Sequence, residues 1–423
     1  MARRPASSPR PRASAGRARA NPRQSALRRG RTRAAPRAAG GPGPVFPGGS
    51  LDSSRRSAGV DLLRGIAILA VLLLHFHLTY RLDVLPVELP WLSNAIRAVA
   101  RNGNYGVTMF FVVSGYLITA TSLRRFGSLG AIRPAAFYRI RAARILPCLL
   151  LLLAIIVVLG ALGLRSFVDK PDTASMPLAV LSVLTFWHNL LMARVGYFNY
   201  SMNILWSLSV EEVFYLAFPL LCLLLKRRRL ILPLLAVPVL LAPAWRYLHA
   251  SDEIVALYGY LSCFDAIAIG CGVALLPARP ISREAFRALA WGAGLAIAAT
   301  WLAGPIMRNV VWGVSVVALG TGALLHGIAN REPVSPPAVS RTGLRPFIAF
   351  FGERSYELYL FHIVVLGLLR EYLTRENILA AWKPVWLLLY LAVAAVVAQV
   401  VHRHISTPLN TVLRQGRKRV ATR

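Results

Sequence analysis

Acidic residues are scarce in this chain: 17 Asp and Glu stand against 49 Lys and Arg, a formal charge of +32 over 423 residues. In a soluble protein that imbalance would point to nucleic acid. Here the basic residues are not interleaved with aromatics. Many sit in an N-terminal arm and in short loops between apolar runs, where Lys and Arg orient membrane helices. Cysteine is also rare: Cys148, Cys222, Cys263 and Cys271 all lie in apolar stretches, and the last two are eight residues apart. That spacing suits neither a zinc site nor a disulfide frame. The chain has no P-loop, no G-x-G-x-x-G turn and no H-E-x-x-H pair. The nucleotide and metallopeptidase chemistries those motifs carry are thereby excluded. No strong internal repeat is visible, which argues against a transporter built from inverted repeats.

What the chain has in abundance is apolar residues, 56% of the total, with a mean hydropathy of +0.54. These values define a polytopic membrane protein. Candidate spans fall at 60–80, 104–122, 145–163, 206–225, 230–248, 257–277, 286–303, 309–329, 347–369 and 384–403. The expected fold is therefore all-α, with about ten transmembrane helices. Residues 1–56 are mostly Arg, Pro, Ala, Gly and Ser. Such a segment cannot bury enough surface to offset chain entropy and is predicted to be a disordered arm. It lacks the contiguous apolar region of a secretory signal. Residues 57–405 form the expected transmembrane domain, and 406–423 a basic tail. No soluble catalytic domain is expected at either end, so any chemistry belongs inside the membrane domain.

Positive charge decides the expected topology. With the arm in the cytoplasm, the loop holding Arg124, Arg125, Arg133 and Arg139 is also inside. The segment 177–192 is then the ambiguous one. If it spans, the cluster Lys226–Arg229 faces outside, against the positive-inside bias. A re-entrant or interfacial segment keeps every basic cluster, and both termini, in the cytoplasm.

Ionisable groups are rare in bilayer-spanning segments and usually face a cavity or a partner. The first span carries three: Asp61, Arg64 and His75. Eleven residues of helix turn about 1100°, so Arg64 and His75 share a face roughly 16 Å apart. The third span opens with Arg141 and Arg144, an i,i+3 pair of planar, permanently charged groups suited to phosphate. The second holds Ser114, Gly115 and Tyr116. The fourth holds Ser207, Glu211 and Tyr215 at i,i+4 spacing, with Glu212 adjacent. A carboxylate there could orient an imidazole or take a proton from a hydroxyl. Asp265 in the sixth span and His362 in the ninth are weaker candidates. Asp61, Ser114, Tyr116, Ser207, Asp265 and His362 are expected to line a pocket. No metal site is expected. The same charges could also mark a substrate path in a transporter or flippase of acylated sugars or lipids.

These motifs together resemble the membrane acyltransferase 3 family, which includes bacterial O-antigen acetylases. The matching pieces are Asp61-Leu62-Leu63-Arg64-Gly65-Ile66-Ala67 with His75 at Arg-x10-His spacing, Phe110–Tyr116, Phe137–Pro147, Trp206–Tyr215 and Ser355–His362. The order covers roughly residues 57–405. Two departures are Val213, where many members carry glutamine, and His362-Ile363-Val364, where many have His-x-Pro. The resemblance implies transfer of an acyl group, often acetyl, from cytoplasmic acyl-CoA to a hydroxyl of an extracytoplasmic glycan or lipid-linked sugar. It implies functional roles for Arg64, His75, Arg141 and Arg144, and matches the family carboxylate to Glu211. On this reading His75 and Glu211 are catalytic, and Arg64, Arg141 and Arg144 bind acyl-CoA. Acyl-CoA is a donor substrate rather than a resident cofactor. The expected partners are acyl-CoA, a glycan or glycolipid and the bilayer, with no nucleic acid. The expected location is the bacterial inner membrane.

Overall fold

The computed structural model describes residues 58–331 and 343–415. The expected disordered arm and the last residues of the basic tail lie outside them. The described chain is helical, with a single isolated bridge between Ile281 and Arg331 and no named strand. In order the helices are α1 (Ala58–Tyr80), α2 (Pro90–Arg101), α3 (Tyr105–Phe126), α4 (Pro134–Ala161), α5 (Met176–Leu184) and α6 (His188–Val195). They continue with α7 (Trp206–Leu225), α8 (Arg228–Leu248), α9 (Glu253–Tyr258), α10 (Tyr260–Leu275), α11 (Arg283–Leu302) and α12 (Gly313–Asn330). Last come α13 (Leu344–Glu353), α14 (Ser355–Tyr372), α15 (Lys383–Val401) and α16 (Thr407–Gln415).

Local chemistry sets many of the boundaries. Pro90 and Pro134 open α2 and α4, where the missing N–H costs nothing. Asp252 and Ser282 cap α9 and α11 by accepting from first-turn backbone N–H groups. Lys226 closes α7 in the left-handed region at φ 52°.

Among the described residues, nine helical segments are long and apolar enough to cross a membrane. The expected span 347–369 is not one of them. Its helix breaks at Arg354, and α14 carries Glu357, Arg370 and Glu371. α14 nonetheless belongs to the core, since Leu358, Leu360, Ile363 and Leu366 are buried. The segment 177–192 forms α5 and α6, of nine and eight residues. Neither is long enough to cross, and Phe186 at φ 64° turns the chain between them. The tail expected over 406–423 is helical at its start, where α16 packs on α4.

Glycines set the closest helix contacts. A Cβ at Gly115 on α3 would lie 2.0 Å from the Ile267 carbonyl oxygen, and one at Gly270 on α10 would lie 1.9 Å from that of Val112. A second such seam joins α1 to α13, through Gly65 and Gly352. Without side chains in the way, backbones approach to packing distance, the usual device for helix association in lipid. These two seams hold α3 and α1, and with them Ser114 and Arg64. By contrast α11 has a single buried residue, Ala293, and presents an apolar surface suited to lipid.

A third tie is ionic. Arg246 of α8 and Asp265 of α10 are both fully buried, with Nη2 2.8 Å from Oδ2. Arg246 also donates to the Ser262 carbonyl at 2.6 Å and to Ser315 Oγ of α12 at 2.6 Å. Asp265, expected to line the pocket, is not among the residues of the cavity wall. It neutralises a guanidinium nineteen positions upstream and joins three helices.

Candidate active site

Five helices converge on a cavity of about 120 Å³. That is below the ~300–1,000 Å³ of a typical small-molecule pocket. It has room for the reacting end of a substrate and none for a nucleotide. Each helix supplies one stripe. α3 gives Val107, Phe110, Ser114 and Leu117; α7 gives Ser207, Leu208, Glu211 and Tyr215. α14 gives Ser355, Tyr356, Tyr359 and Leu360; α4 gives Arg141, Arg144 and Ile145; α1 gives Arg64. The spacings of three and four are those of one helical face.

The polar wall is a connected network. Arg141 lies over the Tyr215 ring, 3.7 Å from its centroid, and its Nη2 is 3.8 Å from Glu212 Oε1. The Tyr215 hydroxyl donates to Glu211 Oε2 at 3.3 Å and pairs with Ser114 Oγ. Tyr359 shares a hydrogen bond with Ser207 Oγ at 2.7 Å and donates to the Ile204 carbonyl at 3.0 Å. Tyr356 donates to the Ile145 carbonyl at 2.9 Å. Arg64 Nη1 is 3.4 Å from Asp61 Oδ1. Three guanidiniums, a carboxylate and several hydroxyls therefore face one small space deep between helices.

His75 is half-buried and stands outside this wall. Its ring packs on His362 of α14 with centroids 5.1 Å apart, and His362 packs in turn on Tyr359 at 6.0 Å. Tyr359 is the shared element: it lines the cavity and touches the histidine pair. One turn beyond His75, the Thr79 hydroxyl donates to the His75 carbonyl at 2.8 Å and pairs with the Tyr200 hydroxyl at 2.9 Å. Arg370 caps the Tyr200 ring at 4.1 Å. This polar patch is half-buried.

The residues singled out from the sequence divide accordingly. Arg64, Ser114, Arg141, Arg144, Ser207 and Glu211 share the cavity wall. Tyr116 does not: two residues past Ser114 it is turned about 200° away. Asp61 is buried at the start of α1, against α13, and pairs with Arg64 of the cavity wall. His362 meets His75 rather than the cavity. Glu211 accepts from the Tyr215 hydroxyl. The arginines and the Glu211 carboxylate meet in one chamber. Tyr215, Tyr356 and Tyr359 also line the wall; the i,i+4 face of Ser207, Glu211 and Tyr215 already pointed to the first, while Tyr359 was not expected there. Among the described residues no group of three His, Cys, Asp or Glu side chains could hold a metal.

Fold and site together define a polytopic helical membrane protein with an arginine-lined chamber next to a histidine pair. The chain belongs to the acyltransferase 3 family: the model described as Acyltransferase domain matches residues 57–403. It is similar to the O-acetyltransferase OatA of Staphylococcus aureus (strain NCTC 8325 / PS 47), 24% identical over 378 residues. That match covers 84% of this chain and 58% of OatA. A putative O-acetyltransferase of Staphylococcus aureus (strain MSSA476) is also 24% identical, over 381 residues, with 84% of this chain and 57% of the relative covered. The chain thus spans under two thirds of the length of these relatives. No solved structure matches it.

Proposed function

We propose that this protein is an integral membrane O-acetyltransferase that moves an acetyl group from acetyl-CoA to a hydroxyl of a glycan or lipid-linked sugar. The observation that carries the reading is the arrangement of Arg64, Arg141 and Arg144 around one cavity whose Tyr359 wall backs onto His362 and His75. Membership of the acyltransferase 3 family and likeness to O-acetyltransferases support it.

The donor enters from the end where Arg124, Arg125 and Arg139 collect, taken as cytoplasmic on the positive-inside rule. Its phosphates stay among the basic groups, and its thioester reaches the chamber. The guanidiniums there hold negative charge, which arginine does through paired donors. The acceptor comes from the other end, past the Thr79–Tyr200 patch. His75 takes the proton of the acceptor hydroxyl. The oxygen attacks the thioester carbonyl, the C–O bond forms and the C–S bond breaks. The thiolate leaves and collects the proton from His75. Positive charge beside the carbonyl stabilises the oxyanion that develops. Glu211, fixed by Tyr215, keeps the arginines' charge locally balanced between turnovers.

The test uses membranes containing the protein, acetyl-labelled acetyl-CoA and isolated cell-envelope glycan. Wild-type membranes are expected to move label into glycan, and His75→Gln at equal protein level to lose at least about 100-fold. Undiminished transfer by His75→Gln would overturn the assignment. A transporter would leave the label on CoA.

A further inference from the structure

His362 is fully buried, and its two ring nitrogens are unequal. Nδ1 lies 2.9 Å from the Leu358 carbonyl oxygen, an acceptor only, so Nδ1 carries the proton. Nε2 is then a bare lone pair. It is buried and has no hydrogen-bond partner. Burying an acceptor without a donor costs about 1–3 kcal/mol, so an orphan of this kind calls for an explanation. The packing supplies one donor candidate. The His75 ring is 5.1 Å away, centroid to centroid, with its plane inclined by 49°. The other polar ring in contact, Tyr359, has its hydroxyl committed to Ser207 and the Ile204 carbonyl.

We infer that His362 is a positioning residue for the acyl transfer proposed above: its Nε2 accepts an N–H from His75 and thereby fixes which nitrogen of His75 faces the acceptor hydroxyl. The inference rests on that reading. Rotation of the His75 ring about its Cβ–Cγ bond closes the contact when substrate is bound, since catalytic hydrogen bonds are often long in the free enzyme. With one nitrogen donating to His362, the other must carry the lone pair. It takes the hydroxyl proton, and the imidazolium so formed is held by the same bond to His362. The proton then passes to the departing thiolate, and both rings return to their starting state. This is the role a carboxylate fills in serine hydrolases. Here a neutral imidazole fills it, without placing another charge in the membrane. The fixed tautomer comes from α14's own backbone, at i−4, so it needs no further group.

Two variants and a control test this in the glycan-labelling assay, each assayed at equal amounts of folded protein. His362→Phe keeps the ring's bulk and removes the acceptor. His362→Gln places an amide oxygen near the Nε2 position and can still accept. The expected result is a kcat for His362→Phe down about 100-fold with the KM for acetyl-CoA unchanged, and recovery of at least tenfold of that loss in His362→Gln. A His362→Phe enzyme within about twofold of wild type overturns the inference. So does equal loss in both variants, or a loss that appears in KM, because each marks a packing role. His75→Gln separates the two levels. If it is inactive while His362→Phe is active, the inference alone fails. If His75→Gln is active, or wild type moves no label, the underlying reading fails and takes the inference with it.

Discussion

An arginine inside a bilayer is costly, and this chain keeps three around one small cavity. Two of them have a specific neighbour that makes them tolerable. Arg64 has Asp61, and Arg141 has the face of Tyr215 and the carboxylate of Glu212. Arg141 shows why lysine cannot stand in: only a planar guanidinium lies flat on a ring and still offers donors at its edge. Arg141→Lys is therefore expected to raise the KM for acetyl-CoA about tenfold, roughly 1.4 kcal/mol. Steady-state kinetics on membranes would check it, and an unchanged KM would remove Arg141 from donor binding. Much of this wall was legible at the residue level, because charged groups in apolar runs stand out and because three- and four-residue spacings report a shared face. Tyr116 shows the limit of reading a motif as a block. It belongs to the same short string as Ser114, yet helix geometry turns it elsewhere. Asp265 shows a different limit: its partner Arg246 lies on another helix, and nothing in the local sequence pairs them.

At the scale of elements, position is set by close backbone contacts and by ion pairs at helix ends. The α3–α10 seam admits no side chain at Gly270. Gly270→Val is expected to cost about 1–3 kcal/mol or more through overpacking, and to displace Ser114 on α3. A lower thermal midpoint in detergent and weaker acyl transfer would register this. Gly292→Ala on α11, where a Cβ meets nothing within 4 Å, is expected to change neither. At the other end of α1, Asp83 ties the α1–α2 turn together, 2.8 Å from Arg97 Nε and 3.1 Å from Arg81 Nε. Burial pushes its carboxyl up, but the hydrogen bonds from Arg81 and Arg97 outweigh burial and hold it well below the usual carboxylate range. A depressed folded-state value means that the stabilisation is complete above the ordinary carboxylate pKa of about 3.9 and is lost as pH falls below it. Asp83→Asn should accordingly lower the thermal midpoint at neutral pH, with the difference from wild type shrinking below about pH 4. A gap that stays constant with pH would show that charge is not what matters there. The sequence offered helix content readily, because hydropathy is a local signal. It did not disclose the break at Arg354 or the pairing of α1 with α14, because both depend on which helices meet.

For the whole molecule, the proposed reaction requires access from two ends. Arg64, Arg141 and Arg144 line the chamber, and a polar patch at Thr79, Tyr200 and Arg370 lies one turn beyond His75. Tyr359 and the histidine pair separate the two. On the proposed function, such a layout would let a large anionic donor and a hydroxyl acceptor meet without a continuous aqueous pore. The order of motifs along the chain foretold that several of these groups gather in one place. Their depth could not be foreseen, and the carboxylate proved to share the arginines' chamber. The most direct measurement is label transfer in sealed inside-out vesicles holding glycan in the lumen, with acetyl-labelled acetyl-CoA added outside. The account predicts label on lumenal glycan for wild type and a loss of at least about 100-fold for His75→Gln. Label that stays on CoA with wild type, or equal lumenal labelling with His75→Gln, would contradict it.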